Sequence, residues 1–137
     1  MLSQIVSEGW EEISDETFIS TLGHTFQRLS GELIQTALLT DERHRNLAGT
    51  VHGGAIMTLI DRAIGINCLR LRPDHRVATL STTVNFHSPA NIGSFLVAEC
   101  SIRKTGRNVT FVEADVTSGD KLIASASAVF FLSPTRD

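Results

Sequence analysis

Tyrosine is absent from this chain, tryptophan occurs once and cysteine twice, and each shortage narrows what the protein can be. Cys68 and Cys100 form no CxxC pair and have no histidine cluster beside them. That argues against a zinc ribbon or a disulfide scaffold, and for two buried small hydrophobes in a reducing, cytoplasmic setting. The five histidines are scattered without ligand-like spacing, so no metal is expected, and no GxSxG marks a serine nucleophile. No segment is apolar for long enough to span a bilayer, and the opening MLSQIVSEGWEEI lacks the basic start and apolar core of a signal peptide. The formal net charge is −3 with no long basic run, which leaves nucleic acid without an electrostatic footprint. What is present is ordinary. With 137 residues, 42% hydrophobic and 20% charged, the chain predicts one domain, residues 1–137, large enough to bury a core.

The most informative stretch is NLAGTVHGGAIMTLIDRAIGINC, residues 46–68. His52-Gly53-Gly54 breaks a loop, and residues 55–71 then run without proline and with Gly65 as the one glycine, apolar on most sides. This predicts a buried helix. At 100° per residue Gly54, Met57, Thr58, Asp61, Gly65 and Cys68 share one side, with Ile56, Leu59, Ala63 and Ile66 opposite. Asp61 stands out, because aspartate favours caps and first turns and here lies about two turns in. An Arg-paired or merely exposed carboxylate is the ordinary explanation. The glycines on its side suggest instead that a ligand or another backbone comes close. The helix start adds free N–H groups with partial positive charge, suited to an anion or a developing oxyanion.

Read in order, SDETFISTLG predicts a short helix capped by Ser14 or Asp15 and stopped by Gly23, within an N-terminal segment of residues 1–23. HTFQRL and ELIQTALL, split by Ser30-Gly31, predict a hairpin. TDERHRNLAGT is a polar loop in which solvated charge is the expectation for Arg43 and His44. After a turn at Pro73-Asp74 come four strand patterns, VATLSTTVNFH, SFLVAECSIRK, NVTFVEADVTS and KLIASASAVFFL, separated by turn residues. Short connections predict antiparallel neighbours among successive strands. The class is α+β, an antiparallel sheet that must cover one apolar helix.

Asn46, His52-Gly53-Gly54 and Asp61, followed by strands ending in FFL, resemble the hotdog-fold acyl-CoA thioesterases related to the phenylacetate-degradation protein. The resemblance runs over about residues 26–132. It implies the hotdog arrangement, a sheet wrapped around a long central helix. It also implies that the Gly53 backbone N–H polarises the thioester carbonyl and that Asp61 is the nucleophile or the general base. Asn46, His52 and Gly54 would shape the pocket, and Ser81, with Thr79 as competitor, would place a hydroxyl near the attacking water. In KTGRN a solvated hairpin end is the bare reading. The resemblance makes Gly106, Arg107 and Asn108 the turn that meets the phosphates of coenzyme A, which enters as part of the substrate, with no resident cofactor.

Two alternatives stay in view. A hotdog dehydratase or hydratase would pair a His with a carboxylate, and His52 and Asp61 coexist here, but the proline-rich motif of acyl-carrier-protein dehydratases is missing. A non-catalytic acyl-CoA-binding module would call for an effector domain, which residues 1–23 are too few to form. His87, beside a strand-ending proline, is not favoured as a base. Seven Phe with no Tyr allow an aryl or a fatty acyl pocket. Finally, Gly53 and Asp61 lie eight residues apart, about 12 Å along one helix. One carbonyl cannot easily meet both. Two helices antiparallel across a two-fold axis could bring one chain's Gly53 to the other's Asp61, giving a homodimer with shared sites that could pair further into a tetramer.

Overall fold

The structure is a computed structural model that describes residues 1–135. Its frame is a seven-stranded antiparallel sheet in the order β1-β2-β3-β5-β6-β7-β4. The strands are β1 (Glu11–Glu12), β2 (Thr25–Ser30), β3 (Leu33–Leu39), β4 (His75–Phe86), β5 (Phe95–Thr105), β6 (Val109–Ser118) and β7 (Lys121–Pro134). Helix α2 (Gly53–Leu71) lies across β3 to β7, as the hotdog fold requires. No described helix is long and apolar enough to cross a membrane.

The predicted hairpin is β2 and β3, turning at Gly31 with φ of 65°. β5, β6 and β7 pair in succession, and buried and exposed residues alternate along them as the sequence pattern predicts. The expectation fails between β4 and β5. β4 crosses the sheet to pair with β7 at the far edge, because eight residues separate it from β5 and free it from a hairpin.

On the inner face Leu59, Ile60, Ala63 and Ile64 are fully buried against Leu38, Leu96, Val116, Ile123 and Phe130. Ala98, Ala114, Ala126 and Ala128 form much of the floor, small side chains under a bulky helix face, which keeps the layer closely filled. Asn67 is buried with its amide fully engaged. Its Nδ2 donates to the carbonyls of Ile34 and Ala63, both at 2.9 Å, and its Oδ1 accepts from the Ile34 N–H at 2.8 Å. The β3–β5 ladder stops at Thr36 and Ala98, so Asn67 supplies Ile34 with the partner that β5 does not.

The N-terminal segment straddles the sheet edge. The helix predicted from SDETFISTLG is a 3-10 turn, Phe18–Leu22, with Thr17 rather than Ser14 or Asp15 at its start. Asp15 instead folds back onto the Thr17 N–H and hydroxyl. Gly23 ends the turn at φ of 87°. A second helix, α1 (Leu2–Ser7), has no sequence expectation behind it; its Ile5, with Trp10 just after the helix, covers Phe26 and Ala37 on the outer face. Trp10 meets Phe95 edge-on at 5.3 Å and carries the Arg28 guanidinium 4.3 Å above its ring.

Candidate active site

α2 begins where the chain leaves the loop at residues 41–52. His52 is its N-cap, with Nδ1 accepting from the Gly54 N–H at 2.8 Å, while the Ala55 and Ile56 N–H groups bond the His52 carbonyl. Among the described residues the Gly53 N–H has no acceptor. A Cβ at Gly53 would lie 3.2 Å from Cζ of Phe86, so glycine fits here by close approach of that ring. Gly53 lines a cavity of about 300 Å³ with Asn46, Ile56, Phe86, His87 and Pro89.

Asn46 is fixed by its own loop. Its Oδ1 accepts from the Thr50 N–H and its Nδ2 donates to the Thr50 hydroxyl, each at 3.0 Å. His44, expected in solvent, is buried at 3% exposure, a correction with a clear cause. Its ring joins a capping box with Asp41 and reaches the Leu22 carbonyl, so it has no need of water. Arg43 stays exposed and pairs with Asp41 at 2.9 Å; desolvation pushes that carboxyl up, and the Arg43 N–H and guanidinium together outweigh it and hold it below its usual range.

Asp61 lies on the solvent-facing side of α2 and is exposed in the single chain. Its Oδ1 accepts from the Thr79 hydroxyl at 2.6 Å, and no cation pairs with it among the described residues. The adjacent Arg62 binds Asp15 at 3.0 Å instead. Gly54 and Met57 share the open side, whereas Gly65 packs against Phe130 and Cys68 turns into the core, so the predicted small-residue face is open only over its first half.

Thr79, the competitor, sits beside Asp61, and Ser81 does not. In a regular strand residues 79 and 81 would share a face, but a bulge at Leu80 shifts the register against β7. Thr79 therefore pairs opposite buried Phe130, while Ser81 pairs opposite Val129 and opens on the outer face beside Thr83, Arg103 and Phe111. No feature of the sequence marks that bulge.

The turn at residues 105–109 stands at the other end of α2. Arg72, the helix C-cap, donates to the Gly106 carbonyl at 3.1 Å, and the Asn108 carbonyl accepts from the Leu132 N–H at 2.7 Å. Gly106 and Asn108 thus hold the turn together, and Arg107 projects exposed with no partner among the described residues. One chain brings together Gly53 and Asn46, and Asp61 and Thr79. It does not bring Gly53 to Asp61.

Residues 48–125 match the thioesterase superfamily. A Pseudomonas aeruginosa protein provisionally named an esterase is 33% identical over 93% of this chain and 97% of its own length. Human acyl-coenzyme A thioesterase 13 is 28% identical over 76% of this chain and 82% of its own. Among solved structures, a mutant of the phenylacetic acid degradation protein from Thermus thermophilus shares the fold with a TM-score of 0.76, at 23% identity over 85% of this chain and 98% of that one.

Proposed function

The chain belongs to the thioesterase superfamily, and from that premise we propose that it is a cytoplasmic acyl-coenzyme A thioesterase whose sites are shared between two copies. The family makes it a thioester hydrolase; the human relative's name supports acyl-coenzyme A as the substrate. The observation that carries the reading is α2 itself, where among the described residues the Gly53 N–H has no acceptor and the exposed Asp61 carboxylate no cation, two turns apart.

The two sheet edges support a dimer. β1 is two glutamates long, a short charged edge that discourages pairing, whereas β4 presents twelve residues at the other end. Leu80 and Phe86 on that strand and Met57 on α2 are about half exposed. A second copy pairing antiparallel along β4 would cover them and set the two α2 helices side by side in opposite directions. Each Gly53 would then approach the partner chain's aspartate, closing the gap of about 12 Å that one helix leaves.

At such a site the Gly53 N–H donates to the carbonyl oxygen as negative charge develops there, with the helix N-terminus adding its partial positive charge. Asp61 acts on the carbonyl carbon by one of two balanced routes. As base it takes a proton from water while the water oxygen bonds to carbon, the C–S bond breaks, and that proton goes to the leaving thiolate. As nucleophile its carboxylate displaces the thiolate to form a mixed anhydride, which water then cleaves. Thr79 orients the carboxylate in both. No resident cofactor enters either route.

A panel of aryl and straight-chain acyl-CoA esters, with released thiol measured, tests the reading. Turnover of at least one class, abolished in Asp61→Asn, is expected. Tight binding of every ester without thiol release would instead mark a binding module, and consumption of an enoyl ester without thiol release a hydratase. Single turnover in ¹⁸O-water tests the anhydride route: label in Asp61 requires water to attack the Asp61 carbonyl of an anhydride, which the base route never forms.

A further inference from the structure

We propose that His44 is a positioning residue that holds the Gly53 N–H in place through the chain's own loop. It rests on the reading of Gly53 as the donor to the thioester carbonyl. The ring is buried, and both nitrogens are used: Nδ1 accepts from the Asp41 N–H at 2.9 Å, and Nε2 lies 2.7 Å from the Leu22 carbonyl. A carbonyl only accepts and a backbone N–H only donates, so this pattern makes Nε2 the donor to Leu22 and Nδ1 the acceptor. The ring thereby ties the loop to the 3-10 turn Phe18–Leu22, which packs on the inner core through Ile19 and Leu22.

The backbone of the same residue reaches the site. The His44 carbonyl accepts from the His52 N–H at 2.7 Å, a direct link between the loop's start and the N-cap of α2. Arg45 and Val51 bridge next, and Asn46 and Thr50 close the loop with their own bonds. Residues 44–52 are a miniature hairpin with His44 at its root. The Val51 N–H bonds the Ala90 carbonyl, which steadies the far arm against the β4–β5 connection. The arm carrying His44 has the imidazole as its tie to the turn at Phe18–Leu22. If the ring's grip on Leu22 is lost, the carbonyl that orients His52 is free to shift, and Gly53 shifts with it.

An oxyanion donor acts chiefly in the transition state, so a small displacement lowers kcat and leaves KM nearly unchanged. Misplacement near 1 Å costs up to about a hundredfold.

The test compares His44→Phe, which keeps a ring without its hydrogen bonds, with His44→Gln, whose amide can still donate to Leu22. His44→Phe should lower kcat roughly ten- to a hundredfold at near-constant KM and shift the ¹⁵N–¹H resonances of Gly53 and Gly54, while His44→Gln recovers most of both. Wild-type kcat and unmoved glycine resonances in folded His44→Phe would overturn the proposal. So would a His44→Gln enzyme as impaired as His44→Phe, since a ring that only fills space predicts the reverse order. The resonances report on His44 whatever the substrate proves to be: no thioesterase activity in the wild type defeats the functional reading, and unmoved resonances defeat this one. If His44→Phe fails to fold, His44→Gln still decides: a functional link to Leu22 predicts near-native kcat and resonances for it, and their loss contradicts the link.

Discussion

The two sides of α2 treat their polar groups in opposite ways. On the side against the sheet, Asn67 is buried and every hydrogen-bonding atom of its amide that the structure pairs goes to backbone, two of the three bonds to Ile34. On the open side, among the described residues, Asp61 has one hydroxyl on one oxygen, and the Gly53 N–H has nothing. Burial without partners is expensive, so the closed side is complete; exposure tolerates incompleteness, and the open side keeps groups available for a ligand and a second chain. A polar residue on a helix is therefore read by whether its bonds are finished.

Substitution on each side should separate chemistry from stability. Asp61→Asn is expected to cut kcat by about three orders of magnitude and to leave the denaturant midpoint almost unchanged, because the amide oxygen can still accept from the Thr79 hydroxyl. Asn67→Ala should do the opposite, lowering stability by roughly 2–4 kcal/mol in urea titration as the Ile34 backbone groups lose their partners. A stability loss in Asp61→Asn as large as that in Asn67→Ala would erase the distinction between the sides.

A finer contrast lies within β4. Thr79→Val removes the hydroxyl from Asp61 and should lower kcat about tenfold, whereas Ser81→Ala, on the outer face, should stay within about twofold of wild type. The reverse order would mean that the bulge at Leu80 does not set the site. Arg107→Ala should raise KM for acyl-CoA about tenfold without affecting a truncated thioester that lacks the nucleotide. Equal losses on both substrates would remove the turn at residues 105–109 from coenzyme A binding.

The smallest effect concerns the closed side. Desolvation raises the thiol of Cys68 to about 11 and that of Cys100 to about 12, so both stay protonated at pH 8. Neither should react with a thiol reagent until the protein unfolds. Rapid labelling in native buffer would show that side to be looser than its packing.

Much of this was legible in the sequence. The last three strands declared themselves by alternation and the central helix by its glycine-led start, and Asp61 stood out as an aspartate two turns into a helix. What escaped detection depends on geometry that no residue announces. The bulge at Leu80 exchanged Thr79 for Ser81, and the crossing of β4 to β7 needed only a connection long enough to permit it. His44 looked like solvated charge because its partners are backbone atoms, Leu22 at 22 residues' remove and Asp41 beside it, which carry no side-chain signature. Asn67 was hidden in the same way.

Mixed dimers test the shared site most directly. Gly53→Pro deletes the N–H at a helix start, where proline fits and where His52, at φ −62° and ψ 134°, already has the extended backbone a proline requires before it. The added Cβ would lie 3.2 Å from Cζ of Phe86, a contact that a shift of a few tenths of an ångström relieves. Paired as homodimers, Gly53→Pro and Asp61→Asn should each be nearly inactive. A verified heterodimer with one substitution in each chain holds one doubly damaged site and one intact site, and is expected to recover up to about half of wild-type activity. Heterodimers as inactive as their parents would mean that Gly53 and Asp61 act within one chain, which contradicts a site shared across the two-fold axis.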